Sequence, residues 1–178
     1  MSDIWVVNAS PLISLAEIGC EHLLTTLAPT VLIPTAVAAE ILAGPPSDPA
    51  RKLLELGWAQ SIEPSSLPAI VIEWGLGSGE SAVLAVALEN PGSTAVLDDA
   101  AARTAARSLS IPVIGTLGII VRAKQRQHLS SAATVIAQLK SAGLYLNDDM
   151  IRTVLQQVGE TWPPTTDPGT TSTSQGNQ

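Results

Sequence analysis

Short apolar runs alternate with helix-like segments along most of the chain. The run Ile4–Val7 is apolar, β-rich and free of polar alternation, which is typical of a central strand covered on both faces. Four later runs are also predicted as strands, at residues 31–33, 58–62, 94–97 and 111–114.

The segments between these runs carry helix start and stop signals. Ser10 is a capping residue before Pro11 at a first helical position, and Gly19 ends the apolar stripe that follows. Pro34 and Gly44 bracket a second helix. Further helices are predicted at residues 48–56, 80–89, 100–109, 117–127, 131–142 and 148–158. Strands that alternate with helices imply an α/β fold, in which a parallel sheet is covered by helices on both faces.

The length of 178 residues fits one domain, which we assign to residues 1–161. The remainder, WPPTTDPGTTSTSQGNQ, is rich in Pro, Thr, Ser and Gly and predicts a disordered C-terminal tail over residues 162–178. No stretch approaches the roughly 18 apolar residues of a membrane helix, and the N-terminus lacks the basic flank of a signal peptide. We therefore expect a cytoplasmic protein that does not bind membranes.

Apolar residues make up 46% of the chain and charged residues 14%, which excludes a disordered protein. The net charge of −7 argues against broad electrostatic attraction to duplex nucleic acid. The charge is uneven, because residues 1–100 carry −10 and residues 101–178 carry +3. Five cations fall within 24 residues, namely Arg103, Arg107, Arg122, Lys124 and Arg126. They form either a local anion-binding surface or two solvated helix faces.

Polar residues follow the predicted strands, where parallel sheets bind their ligands. Asn8 ends the first strand, and Asp98 and Asp99 end the fourth. Glu40 lies in the helix after the second strand, and Glu80 starts a helix. Carboxylates gathered at one sheet edge repel one another and call for a cation. Ligands that are all oxygen favour Mg²⁺ or Mn²⁺ over zinc, and such ions can turn water into a nucleophile.

Each of these residues also has a purely structural interpretation. Glu80 in a first helical turn is favoured by the helix dipole, and Glu40 could lie on a solvated face. Asp98 and Asp99 could cap the next helix. The glycines within residues 75–79 do not match a dinucleotide fingerprint or a P-loop, and they indicate a hinge and a helix entry.

Five blocks of the sequence, spread in order over about residues 4–160, resemble the PIN-domain family. The blocks are VVNASPLISLAEIG at 6–19, IPTAVAAEI at 33–41, GLGSGESAVLAVAL at 75–88, VLDDAAARTAARSLSIPVIGTLGIIVRAK at 96–124, and the ending LKSAGLYLNDDMIRTVLQQVGE. The chain is most similar to a prokaryotic branch of PIN-like proteins long labelled as of unknown function. The resemblance implies an α/β/α sandwich with a parallel sheet of order 3-2-1-4-5. It also implies kinship with Mg²⁺-dependent ribonucleases that act as VapC-type toxins.

The resemblance implies that Asn8, Glu40, Glu80 and either Asp98 or Asp99 occupy the acidic metal-binding positions of the family. It gives Ser10 the role of a supporting hydroxyl. The first of these positions is Asp in typical active PIN nucleases, whereas this chain has Asn8. An amide offers a neutral oxygen and removes one negative charge, so the departure should weaken Mg²⁺ binding.

We therefore expect a metal-dependent endoribonuclease of the toxin type that hydrolyses RNA with a metal-activated water. Mg²⁺ or Mn²⁺ is held by Glu40, Glu80, Asp98 and Asp99 in this hypothesis, and Asn8 and Ser10 orient a ligand or water. The residues expected to meet RNA phosphates are Arg103, Arg107, Arg122 and Lys124. A protein antitoxin is the expected partner, and a homodimer is the expected assembly.

Two alternatives stay open at this point. The first is a PIN-like module that is catalytically weak because of Asn8 and acts by binding protein or RNA. The second is a phosphotransfer receiver domain, which also groups acidic residues at strand ends. The lack of a strand-end lysine near Ile114 and Gly115 argues against the receiver domain.

Overall fold

A computed structural model describes residues 4–164 of the chain, and within them five strands form one all-parallel sheet. The strands are β1 Ile4–Val7, β2 Thr30–Pro34, β3 Gln60–Ile62, β4 Thr94–Val96 and β5 Val113–Ile114. Their order in the sheet is β3-β2-β1-β4-β5. The prediction of an α/β/α sandwich with this order is therefore confirmed.

Helices connect the strands and cover the sheet. They are α1 Ala9–Glu17, α2 His22–Leu27, α3 Thr35–Leu42, α4 Pro49–Glu55, α5 Ala69–Ile72, α6 Ser78–Glu89, α7 Ala100–Ser108, α8 Thr116–Gln125, α9 Ala132–Ser141 and α10 Asp148–Gln156. None of the helices in the described part of the chain is long and apolar enough to cross a bilayer.

The strand order reverses beside β1. This strand pairs with β2 on one side and with β4 on the other, and Val7 lies opposite Val96 in the register. The backbone N–H of Asn8 continues this ladder by donating to the Val96 carbonyl oxygen at 3.1 Å. The loops after β1 and β4 leave the sheet from neighbouring positions, which is where open parallel sheets form ligand sites.

The helix α6 lies at the centre of the molecule. Every residue from Ser81 to Ala87 is buried, and the helix contacts β1, β2 and β4 of the sheet. Its small side chains, mostly alanine and valine, let it pack closely on these strands. The first turn of α6, which begins at Ser78, is therefore held firmly against the sheet.

Several element boundaries differ from the predictions. The helix α1 begins at Ala9 with Asn8 as its N-cap residue, so Ser10 lies inside the first turn and is not the cap. Proline is tolerated there because the first-turn N–H groups have no partner within the helix. The short helices α2 and α5, of six and four residues, were not predicted, and neither has a side-chain cap.

A carboxylate fixes the end of the described chain to the start of α9. Glu160 accepts hydrogen bonds from the backbone N–H groups of Ala132 at 3.0 Å and Ala133 at 2.7 Å. The Ser131 hydroxyl donates to it at 3.0 Å, and the Lys124 ammonium lies 3.3 Å away. We call this arrangement the Glu160 clasp.

Trp162, which the sequence assigns to the tail, packs against the core. The Lys140 ammonium lies 5.5 Å from the centroid of its ring. The folded domain therefore includes at least this first residue of the predicted tail. The tail predicted to be disordered consists mainly of residues 165–178, which lie outside the described residues. Its disorder therefore stays a prediction.

Candidate active site

The sequence-predicted site residues lie at the carboxyl edge of β1 and β4 and at the starts of the helices that follow. Asn8 directly follows β1 and is only 6% exposed. Asp98 lies two residues beyond β4 and is half-buried. Because β1 and β4 are neighbours in the sheet, the two residues leave it side by side.

Gly79, in the first turn of α6, brings Asn8 and Glu40 together. A β-carbon at this glycine would lie 2.8 Å from Glu40 Oε2 and 3.1 Å from Asn8 Oδ1. The two oxygens are therefore at most about 6 Å apart, and both face the glycine. The missing side chain leaves open the space between them. We call Asn8, Glu40 and Gly79 the Gly79 cradle.

The amide oxygen in the Gly79 cradle lacks a hydrogen-bond donor. Asn8 Oδ1 is buried and accepts no hydrogen bond from any residue in the range 4–164. Leaving a buried polar atom unsatisfied costs about 1–3 kcal/mol, so the fold retains this oxygen at an energetic disadvantage. Across the glycine lies the Glu40 carboxylate, which is also an acceptor. Two acceptors facing one space suit a proton donor or a cation.

A second glycine, Gly115, gives Asp98 a different environment. The Asp98 carboxylate accepts hydrogen bonds from the Thr116 backbone N–H at 2.7 Å and from the Thr116 hydroxyl at 2.6 Å. A β-carbon at Gly115 would lie 2.9 Å from Asp98 Oδ1 and closer still to Arg103 Nη1. The carboxylate is thus fixed at the start of α8 with a guanidinium beside it. We call these four residues the Gly115 cradle.

Glu80 and Asp99 have the structural roles that the sequence left open. Glu80 Oε2 accepts a hydrogen bond from the Gly77 N–H at 2.9 Å, which satisfies the start of α6. Asp99 is the N-cap of α7, and its Oδ1 accepts from the Ala102 N–H at 2.8 Å. Across residues 4–164, no three Asp, Glu, His or Cys side chains gather closely enough to hold a metal ion. The expected cluster of four carboxylates is therefore not formed within this part of the chain, where Glu80 and Asp99 each bond a helix start with one oxygen.

The predicted phosphate-binding residues separate into two groups. Arg103 and Arg107 lie on one face of α7, close to Asp98. Lys124 lies about 12 Å further along α8 than Thr116, and donates to the Ser130 carbonyl oxygen at 2.6 Å. This ammonium also belongs to the Glu160 clasp. The Lys124 ammonium is thus engaged within the fold, and its contact with RNA phosphates stays a prediction.

Arg122 and Ser10 also occupy positions that bear on their predicted roles. The Arg122 guanidinium lies 5.9 Å from the ring centroid of Trp5, near the start of β1 and away from the carboxyl edge. Ser10 is exposed in the first turn of α1, two residues after Asn8. Ser10 thus stays near the Gly79 cradle, and Arg122 does not.

Sequence reasoning missed Thr116, Gly79 and Gly115 as site residues. Two signals could have indicated them. Glycine disfavours a helical turn, so Gly79 inside the start of α6 suggests a close approach of another group. Gly115 and Thr116 follow the last strand directly, at the same sheet edge as Asn8.

A family model described as a PIN domain matches residues 4–160. The chain therefore belongs to the PIN-domain family, as its sequence blocks predicted. Members of this family are generally nucleases and commonly use divalent metal ions, so the domain has a nuclease-type fold. A comparison with curated proteins gives no significant match.

Proposed function

We propose that the protein is a divalent-metal-dependent endoribonuclease that hydrolyses RNA phosphodiesters. The observation that carries the proposal is the buried, unsatisfied Oδ1 of Asn8, which faces the Glu40 carboxylate across Gly79. This pair lies at the carboxyl edge of the sheet, next to the strand that leads to Asp98. Family membership supports a nuclease, and the donor set supports the metal.

The residues present fit Mg²⁺ or Mn²⁺ as the cofactor. In nucleic-acid enzymes Mg²⁺ often keeps several waters and takes only one or two protein carboxylates in addition to substrate phosphates. Glu40 supplies one carboxylate oxygen and Asn8 a neutral oxygen, and Asp98 follows the neighbouring strand. An all-oxygen donor set excludes the Cys and His ligands that zinc prefers. Glu80 and Asp99 each use one carboxylate oxygen in a capping bond, Oε2 and Oδ1 respectively, which leaves the second oxygen of each available to this set.

When bound, the divalent ion supplies a water of lowered pKa and stabilises negative charge on a phosphoryl group. The chain's own residues provide the surroundings for this chemistry. Asn8 and Glu40 supply oxygen ligands from their side chains, and Thr116 fixes both carboxylate oxygens of Asp98 by hydrogen bonds. The Arg103 guanidinium lies beside that carboxylate, where it can attract a phosphate oxygen and offset its developing charge.

The proposal includes a biological role as the toxin of a toxin–antitoxin pair that acts in the cytoplasm as a homodimer. Resemblance to toxin-type PIN nucleases supports this role. A protein antitoxin would then inhibit the enzyme by binding it. The test is to look for a small reading frame directly upstream of the gene and to co-express its product with this chain. We expect the product to bind the chain and to relieve growth arrest. Normal growth under induced expression of the chain alone would contradict the toxin role.

A second candidate function is a binding module that recognises RNA or protein without efficient cleavage. Two observations favour it. Asn8 removes a negative charge from the cradle, and the described residues form no cluster of three acidic side chains. Both features lower the expected affinity for a divalent ion.

A ribonuclease assay with Mn²⁺, with Mg²⁺ and with EDTA tests the proposal, using a single-stranded RNA labelled with a fluorophore and a quencher. We expect cleavage only with metal. The double variant Glu40→Gln and Asp98→Asn should lose at least about 10²-fold in rate while it keeps its melting temperature to within a few degrees. Glu17→Gln, which changes an exposed glutamate at the far end of α1, is the matched control. Equal cleavage by the double variant and this control would refute the proposal.

A further inference from the structure

An open groove extends from the Gly115 cradle toward α10. Its volume is about 650 Å³, within the range of small-molecule and cofactor sites. Asp98 and Arg103 lie at one end, and α7 and α10 contribute to its walls. The apolar side chains that line it include Val113, Ile114, Leu144, Leu146, Met150 and Val154. We call it the α7–α10 groove.

Two arginines with no partner line this groove. Arg103 and Arg107 are four residues apart on α7, so their side chains share one face about 6 Å apart along the helix. Within the described chain neither side chain makes a hydrogen bond or an ion pair, whereas Lys124 is engaged with Ser130 and Glu160. Arg107 thus offers positive charge that the fold does not use, and Arg103 adds a guanidinium that lies beside the Asp98 carboxylate.

The far end of the groove exposes large side chains that proteins usually bury. Tyr145 is 92% exposed and Met150 is 55% exposed, and both line the groove. Tyr145 is the only tyrosine of the chain. The lining of one groove thus includes an exposed aromatic ring, apolar side chains and two arginines, a combination that binds unpaired bases in single-stranded nucleic acid sites.

We propose that the α7–α10 groove binds unpaired nucleotides of single-stranded RNA next to the phosphodiester held at the Gly115 cradle. This proposal rests on the ribonuclease function and adds a substrate subsite to it. Arg103 and Arg107 contact successive phosphates, and a base stacks on Tyr145 with Met150 beneath it. The subsite requires a single strand, because a base paired in a duplex cannot reach the floor of the groove.

Charge and continuity favour RNA over a peptide as the occupant. The first hundred residues carry a net charge of −10, so the arginine wall of this groove is a local attraction for a polyanion on an acidic molecule. The groove also includes Asp98, one of the proposed metal ligands, so a strand bound in it would pass a phosphodiester beside that residue.

Binding measured in EDTA separates this subsite from cleavage. The probe is a fluorescein-labelled ten-nucleotide single-stranded RNA, and fluorescence anisotropy gives its dissociation constant as a function of salt. Tyr145→Ala should weaken binding about tenfold, and Tyr145→Trp should restore it, because stacking needs only an aromatic face. Leu56→Ala, which truncates a side chain that is 84% exposed and outside the groove, is the matched control. Arg107→Gln should reduce the slope of log affinity against log salt by about 0.7.

Chemical modification gives a second, independent measurement on the unaltered protein. Tetranitromethane should nitrate Tyr145 readily in the free protein, and the single-stranded RNA should protect it. A duplex of the same sequence should not protect it. Because the chain has one tyrosine, the nitration signal reports this position alone.

The outcomes distinguish the groove from the enzyme. The subsite is overturned if the RNA does not bind in EDTA. It is also overturned if the RNA binds Tyr145→Ala and Leu56→Ala equally and leaves Tyr145 open to nitration. Both results hold against the subsite even if the protein cleaves RNA with metal. Loss of binding in Tyr145→Ala with protection from nitration supports the subsite even if no cleavage occurs, in which case the ribonuclease function alone fails. Protection of Tyr145 by a second copy of the chain instead of RNA would also overturn the proposal.

Discussion

Two helix starts in this molecule receive side-chain oxygens, and the fold treats them in opposite ways. At the start of α9, Glu160 takes three hydrogen bonds and an ammonium contact. Near the start of α6, the amide oxygen of Asn8 takes no hydrogen bond from residues 4–164. Satisfied oxygens of the first kind stabilise a fold, whereas an unsatisfied buried oxygen costs free energy and calls for a reason, such as a catalytic role, a water or an ion.

The electrostatics of Glu160 show what full satisfaction does to an acidic group. Burial alone would raise the pKa of this carboxyl. The hydrogen bonds from Ala133, Ala132 and Ser131 and from the Lys124 ammonium outweigh burial, and they hold the pKa below its usual range. The clasp therefore stabilises the folded state most when Glu160 is ionised.

The largest expected effect comes from filling the Gly79 cradle. In Gly79→Ala the added β-carbon would meet Glu40 Oε2 and Asn8 Oδ1 at about 3 Å, and the buried amide has little room to move. Asn8 would have to give by a few tenths of an ångström and the Glu40 carboxylate would have to swing away. Because catalysis is sensitive to such displacements, we expect cleavage to fall by up to about 10²-fold and Mn²⁺ binding measured by calorimetry to weaken. Ser78→Ala, at the exposed preceding position, controls for changes in helix propensity. Unchanged metal binding and cleavage in a folded Gly79→Ala protein would show that the cradle is not a site.

The next effect concerns stability at the Glu160 clasp. Glu160→Gln removes the charge that the N–H donors favour, and it should lower the free energy of unfolding by about 1.5–3 kcal/mol at pH 7. Because the folded-state pKa is depressed, this stabilisation is present above the unfolded pKa, near the ordinary 4.5, and is lost as the pH falls through the folded value. Urea denaturation at pH 7 and at pH 3 should therefore show a difference between the two proteins that shrinks in acid. A difference of the same size at both pH values would mean that shape, and not charge, stabilises the clasp.

The smallest effect tests the neutral oxygen directly. Asn8→Asp places a carboxylate where the cradle has an amide, so Mn²⁺ should bind more tightly, on the order of tenfold, in spite of repulsion from Glu40. The melting temperature without metal should fall, since a like charge joins the cradle. Tighter binding with no gain in cleavage at low metal concentration would favour the binding-module function. Unchanged metal affinity would show that Asn8 is not a ligand.

Apolar runs located the centre of the sheet. The buried runs of β1, β2 and β4 mark strands covered on both faces, whereas β3 at the sheet edge exposes Gln60 and Ser61. The resemblance to PIN domains supplied the strand order, which the structure confirms. The short helices α2 and α5 were not predicted from the sequence because neither carries a capping side chain, and a helix of four to six residues is too short to show a periodic pattern. The strand-end rule located Asn8 and Asp98, because the carboxyl ends of parallel strands share one edge.

The roles of individual charged residues were harder to predict. Whether Glu80 and Asp99 turn to a metal or to their own backbone depends on the geometry of the helix starts, which the residue types alone do not determine. Likewise, a run of cations along the chain does not say which end of a helix each one occupies. Arg103 lies near the start of α7, beside Asp98, while Lys124 lies near the end of α8 and belongs to the clasp.

The burial of α6 limits how often its first turn, which contains Gly79, can open. Its amide groups from Ser81 to Ala87 are shielded by the sheet and by neighbouring helices. Hydrogen exchange at such amides requires an opening close to global unfolding, so these positions should exchange slowest in the protein. Gly79 lies two residues before this segment in the same helix, and a ligand bound in its cradle would slow exchange throughout α6, because it stabilises the folded state as a whole.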